Sequence, residues 1–326
     1  MAKVLSVGEV LIDFTPYGIS DKGDPLFEQN AGGAPANVSA MIARLGGQSS
    51  LIAKVGHDAF GETLIRTLKD VGVETAGIRF SDEANTTLAF VHLDEDGDRS
   101  FSFYRKPGAD ALLTEDDIPD SAIGWAEILH AGSVSMTKEP ACSATLSAIR
   151  RAARMGKAVS FDPNIRETLI GDRDRLIRDI RSILPLVRYL KVAEDELALI
   201  ADEPDEERAC AWLAREYGIP VIVLTRGGRG SACYSEGRLT EVPAFPVNAV
   251  DTTGAGDAFW GAFLYQLSEA GPGEGTLNLG RLPDWLRFAN AAGALAVTKR
   301  GGIPALPGKK EIERLMQGSS EASDGL

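Results

Sequence analysis

Asp251-Thr-Thr-Gly-Ala-Gly-Asp-Ala-Phe259 carries most of what this 326-residue chain says about itself. Gly254 and Gly256 permit a turn that other residues resist. Behind them, Ala258, Phe259, Ala262, Phe263 and Leu267 recur at helical spacing as far as Ala270. The glycines therefore fall at a helix N-terminus, where unpaired N–H groups and the helix dipole attract anions. Asp257 falls in the first turn. A carboxylate there repels a bound phosphate, so it needs another use, and taking the proton of an attacking hydroxyl is one. An anion hole with a base beside it outlines phosphoryl transfer to an alcohol. A glycine turn followed by a capping Asp is the plainer reading of the same residues. No Gly-Lys-Ser/Thr follows, and the spacing is not G-x-G-x-x-G, so neither common phosphate loop applies.

Composition narrows the classes. The chain is 44% hydrophobic and 7% aromatic, enough for a sizeable core, and carries a net charge of −13. That balance argues against nucleic acid or an anionic membrane as main partner. Cys142, Cys210 and Cys233 are few, odd in number and far apart, which fits a reducing cytosol without a disulfide framework. No signal peptide or membrane-length apolar run is evident, so a cytoplasmic location is expected. His57, His92 and His130 show no ligand spacing.

A second glycine segment, Ala31-Gly-Gly-Ala-Pro-Ala-Asn-Val38, leads into a helix over 36–45. Gly32 and Gly33 allow a ligand close to the backbone, Pro35 suits a first turn, and Asn37 offers donor and acceptor. Together the two segments resemble the signatures of the ribokinase-like sugar kinases, the PfkB family, and Gly-Gly-Ala-Pro-Ala-Asn resembles its fructokinase branch. The resemblance runs from about Lys3 to Pro307. It implies a Rossmann-like α/β sandwich over residues 1–316, with a mostly parallel sheet and a β lid from about 14–31 and 85–108; the Ser/Glu/Gly-rich stretch 317–326 reads from its composition as a disordered tail.

The reaction implied is ATP-dependent phosphorylation of a sugar hydroxyl, fructose giving fructose 6-phosphate, with a 2-keto-3-deoxygluconate kinase as the rival within the family. Outside it, a nucleotide-linked dehydrogenase and a catalytically silent sugar-binding regulator were the alternatives. The first lacks its glycine fingerprint at Gly8-Glu-Val-Leu, and the second has no need of Asp257 or Glu194. The resemblance makes Asp257 the base, with amides of Gly254, Ala255 and Gly256 as anion hole and Arg166, in Asp162-Pro-Asn-Ile-Arg166, set to offset phosphoryl charge. Asp13, Gly32, Gly33, Asn37 and Arg105 would meet the sugar. Thr225, Gly227 and Gly230 of Thr225-Arg-Gly-Gly-Arg-Gly230, with Asn290, would meet the nucleotide, and Lys191 its phosphates. Lys191 stands where many relatives have Asn. Glu194 would act on Mg²⁺ partly through water, and Asp251 and Thr253 would hold a monovalent cation such as K⁺. Small-molecule sugar and ATP are the partners implied, with a homodimer through the lid.

From the residues themselves, Lys3–Leu11 reads as one buried strand running to Asp13, and 15–30 as loop with room for one short strand. Leu88–Leu93 and Arg99–Tyr104 read as a hairpin about Asp94-Glu-Asp-Gly-Asp98.

Overall fold

The structure, a computed structural model, describes residues 2–93, 99–271 and 279–323. In chain order its elements are β1 Lys3–Val7, β2 Leu11–Ile19, β3 Pro25–Gly32, α1 Ala34–Arg44, β4 Gln48–Gly56, α2 Ala59–Asp70, β5 Ile78–Ser81, β6 Leu88–Leu93 and β7 Arg99–Tyr104. Then come α3 Asp120–Trp125, β8 Ile128–Gly132, α4 Ala141–Arg154, β9 Ala158–Asp162, α5 Arg173–Ile183, β10 Tyr189–Ala193, α6 Glu194–Ala201 and α7 Glu206–Tyr217. The last are β11 Val221–Thr225, β12 Ser231–Ser235, β13 Arg238–Val242, α8 Ala255–Ala270, α9 Leu282–Ala296 and α10 Lys309–Ser323.

Nine strands form one sheet in the order β13-β12-β11-β10-β9-β8-β1-β4-β5. From β11 to β5 every pairing is parallel; β12 and β13 close one edge antiparallel. Neighbouring residues of a strand face opposite sides. Val4 thus joins a core with Met41, Phe263 and Trp285 from α1, α8 and α9, while Leu5 joins a second core with Ile149, Ile180 and Leu213 from α4, α5 and α7. The result is the expected three-layer sandwich with a mostly parallel sheet.

The chain leaves this sheet sooner than its apolar run suggests. Gly8 sits at φ 151°, and a Cβ there would come within 2.7 Å of Pro35 Cγ. After it the chain turns into β2, which belongs to a separate four-stranded sheet in the order β3-β2-β6-β7. Asp13 therefore lies in the lid, not at the end of a main-sheet strand. The segment 15–30, read as mostly loop, supplies two paired strands instead; Pro16 and Gly18 are absorbed at a register shift in β2. The β6–β7 hairpin is present with the expected strand bounds, while its turn at 94–98 lies outside the described residues.

Residues 317–323 continue α10, which is anchored just before them by buried Ile312 and partly buried Leu315 and Met316. Once an anchored helix exists, each further residue adds a hydrogen bond without a new nucleation cost. No helix of the described residues is long and apolar enough to cross a membrane.

Candidate active site

The turn before α8 takes the form the glycines allow. Gly254 is the N-cap at φ 74°, in the left-handed region, and its carbonyl accepts from Ala258 N at 2.8 Å. The Ala255 N–H makes a long bond, 3.3 Å, to Thr252 O. Asp257 follows on the third helical residue and is 6% exposed.

Two cavities meet at this helix end. One, about 280 Å³, is lined by Asp13 from the lid, Gly33 and Asn37 at the start of α1, Asn164 and Arg166 after β9, and Gly254 and Asp257. The other, about 380 Å³, is lined by Thr225, Gly227 and Gly230 after β11, by Asn290 of α9, and by Ala255 and Gly256. Thr252 lines both. The first turn of α8 is thus the wall between a chamber rich in carboxylates and amides and a chamber with glycine backbone and apolar sides.

The Asp257 carboxylate is held by amides. Asn37 Nδ2 donates to Asp257 Oδ2 at 2.8 Å, and Asn164 Nδ2 donates to Oδ1 at 3.3 Å. Burial raises the Asp257 carboxyl above its usual range, opposed by the Asn37 hydrogen bond and the charges of Lys191 and Arg166. Burial pushes Asp13 up to about 7; Arg166 opposes this and Asp257 and Asp251 add to it. A third carboxyl, Glu9, is pushed by burial to about 8 and accepts the Ala34 N–H at 3.1 Å.

Backbone space explains the glycines. A Cβ on Gly32 would collide with Asp13 Oδ2, and one on Gly33, at φ 103°, would meet Glu9 O at 2.7 Å. The site therefore needs bare backbone where lid, α1 and base converge.

Strand alternation places Lys191 on the α8 side of β10, the same side as Tyr189. Its Nζ lies 2.7 Å from Asp162 Oδ2 and would be 3.1 Å from a Cβ on Gly256. Burial disfavours its charge, but Asp162 and Glu196 outweigh that and hold the ammonium above its usual range.

Several expected residues sit differently from the simplest picture. Arg105 does not line the cavity at Asp257. Its Nε pairs with Asp110 Oδ2 at 2.8 Å, with side chains 3% and 2% exposed, and its Nη1 donates to Thr137 Oγ1 at 2.9 Å. Glu194 lines neither cavity and is ion-paired with Arg229. The buried glutamate nearby is Glu196, which accepts from Ala193 N and Ile165 N. Asp251 accepts from Thr253 N at 2.8 Å and Gly301 N at 2.9 Å, tying the turn to the loop after α9. Asn290 donates to Val242 O and Pro243 O, which fixes its carboxamide at the cavity wall.

Residues missed at the sequence level are Asn164, Glu9, Phe101 and Phe103, all lining the cavity at Asp257. Asn164 stands inside a quoted motif, Asp162-Pro-Asn-Ile-Arg166, and Glu9 inside the segment Gly8-Glu-Val-Leu that was set aside. The two aromatics were legible only as lid strand. His130, one of the three histidines without ligand spacing, is buried against Ser160 and lowered by burial to about 3, so it is neutral near pH 7.

A parallel α/β sandwich with a β lid, and a helix-end anion site flanked by a buried carboxylate, define a phosphotransferase acting on a small hydroxylated molecule. The chain belongs to the pfkB family of carbohydrate kinases, whose model matches residues 1–309. A probable fructokinase of Arabidopsis thaliana is 39% identical over 322 residues, 98% of each chain. A solved fructokinase of Xylella fastidiosa with bound ATP is 35% identical, with TM-score 0.87 over 98% of this chain and 100% of that one. A fructokinase double mutant of Vibrio cholerae, solved with fructose, ADP and potassium ion, is 33% identical, with TM-score 0.87 over 97% and 98%.

Proposed function

We infer that the protein is an ATP-dependent fructokinase, transferring the γ-phosphoryl group of ATP to O6 of fructose. The single observation that carries this reading is Asp257, facing the sugar-side cavity from the helix turn whose preceding residues face the other one. Fructose O6 lies against Asp257, which takes its proton as the O6–phosphorus bond forms. The bond from phosphorus to the ADP oxygen breaks, and ADP leaves. Amides of Gly254, Ala255 and Gly256 face the moving phosphoryl group, and Arg166 offsets its charge from the sugar side. Asp13, Gly32, Gly33 and Asn37 grip the other hydroxyls. Thr225, Gly227, Gly230 and Asn290 line the nucleotide's place, with Lys191 beneath Gly256.

The charge of the sugar-side cavity supports a neutral sugar over keto-deoxygluconate. Among its described lining residues Arg166 is the one cation, facing the carboxyls of Asp13 and Asp257, while Glu9, raised by burial to about 8, is protonated near pH 7. Arg105, which would have been a second cation, is committed to Asp110. An acid sugar would have to compete with Asp13 and Asp257 for that one cation.

Among the described residues no cluster of three or more His, Cys, Asp or Glu forms a metal cage. A magnesium ion would be carried on the nucleotide phosphates; Glu194 lines neither cavity and is paired with Arg229, so it would reach the ion's outer waters only on leaving that pair. When bound, the ion neutralises phosphate charge. Asp251, bridging Thr253 and Gly301, fits a monovalent cation held mainly by neighbouring carbonyls. One ribokinase-like domain over 1–316, a cytoplasmic location and a homodimer through the lid complete the reading. The dimer is supported by Tyr17, Ile19 and Tyr104, exposed on the lid strands, and the location by three free buried cysteines.

The test is coupled-assay turnover on a panel of sugars, with Asp257→Ala beside the wild type. The expected loss in kcat is at least ~10²-fold; activity within a few-fold of wild type refutes the assigned role.

A further inference from the structure

Asn164 has a backbone few residues accept. Its φ is 45°, in the left-handed region, where asparagine is among the best-tolerated non-glycine residues. The loop around it is pinned on every side. Before it, Asp162 is paired with Lys191, and Pro163 O accepts from Ser133 N at 3.0 Å; after it, Ile165 N donates to Glu196 Oε1 at 2.7 Å. What this fixed loop delivers is one carboxamide, 8% exposed as a residue, to Asp257 Oδ1, while Asn37 from α1 holds Oδ2.

One hydrogen bond lets a carboxylate swing about its Cβ–Cγ bond. Two donors from separate elements, one on each oxygen, stop that rotation. We propose that Asn164 is a positioning residue for the base: with Asn37 it fixes the plane of the Asp257 carboxylate toward the acceptor hydroxyl and favours its anionic form. The inference rests on the kinase reading above. The charged groups facing Asp257 are Lys191 of β10, Glu196 of α6, Asp162 and Arg166 at the end of β9, and Asp13 of β2. An amide donates to the carboxylate without adding charge to this crowded set.

Two variants test it in the full chain. Asn164→Gly keeps the left-handed backbone and deletes the donor. Its kcat is expected to fall ~10–100-fold, the scale of a misplaced reacting group, while KM for sugar and for ATP stays within about threefold. A lost donor disfavours the anion, so the acidic limb of the kcat profile moves to higher pH. Asn164→Asp keeps the shape but sets a second carboxyl against the base, and moves the limb further the same way. A purely structural role would lower the melting temperature of Asn164→Gly and leave the limb where it was. The proposal is overturned if Asn164→Gly matches wild type in kcat and in the acidic limb. It is equally overturned if KM for the sugar rises while kcat holds, because Asn164 would then be a sugar contact. A wild type silent on every sugar overturns the kinase reading itself, which is a different result.

Discussion

Replacing Arg105 by Met strips the lid of a buried charge and leaves its partner behind. Asp110 is 2% exposed on its side chain and retains only a 2.5 Å hydrogen bond from Thr87 Oγ1. Breaking one side of such a buried pair costs about 3–5 kcal/mol, because the orphaned charge stays out of water. Unfolding entropy of ~2.1 cal/mol/K per residue, over 326 residues, gives ~0.7 kcal/mol per kelvin. The expected drop in melting temperature is therefore ~4–7 °C. Arg105 also joins the end of β7 to Thr137 and Val134, and β7 carries Phe101 and Phe103 into the sugar-side cavity. KM for fructose should rise several-fold, more than kcat falls. Scanning calorimetry and a coupled assay on the same preparation read both effects. Arg105→Met with Asp110→Leu should regain part of the lost stability, since the stranded charge is gone. A single variant melting within about 1 °C of wild type, or a double variant no more stable than the single, would sink the reasoning.

Gly32→Ala drives a Cβ into Asp13 Oδ2; KM for the sugar should rise at least ~10-fold with little change in KM for ATP, read from initial rates. Glu9, raised by burial to about 8 from 4.5, stays protonated in the fold at pH values where the unfolded chain releases its proton. It therefore costs stability increasingly as pH rises from about 4.5 to about 8, each unit between the two values being worth ~1.4 kcal/mol. Glu9→Gln should gain on wild type across that window, and urea midpoints at pH 5 and pH 8 that shift in parallel would contradict it. Glu194→Gln, at a half-exposed ion pair, should leave melting within about 1 °C yet raise the Mg²⁺ needed for half-maximal rate several-fold.

Local chemistry was readable from the chain; long-range partnership was not. The turn at 251–257 announces itself because glycine conformation, helix start and carboxylate lie within seven residues. The break at Gly8 is hidden because the apolar run continues unbroken from one sheet into another, and hydrophobicity does not say which sheet a strand joins. The lid strands β2 and β3 were masked by Pro16, Gly18, Gly23 and Pro25, turn residues that a two-stranded edge with a bulge accommodates. Asn164 contacts a residue 93 positions away, and no local pattern points there. Arg105 was within reach: its partner Asp110 lies only five residues further along the chain.

The attachment of the small sheet has a mechanical corollary. Only Gly8, Glu9 and Val10 separate β1 from β2, and Gly33 alone separates β3 from α1. Three residues span at most ~10 Å, so along this border the flap has no slack with which to slide away. It is a stiff leaf on a short spine, and a small tilt would carry its far edge further than Asp13 beside the spine. Entry of substrate can thus be timed at the rim, leaving the spacing between Asp13 and Asp257 almost constant.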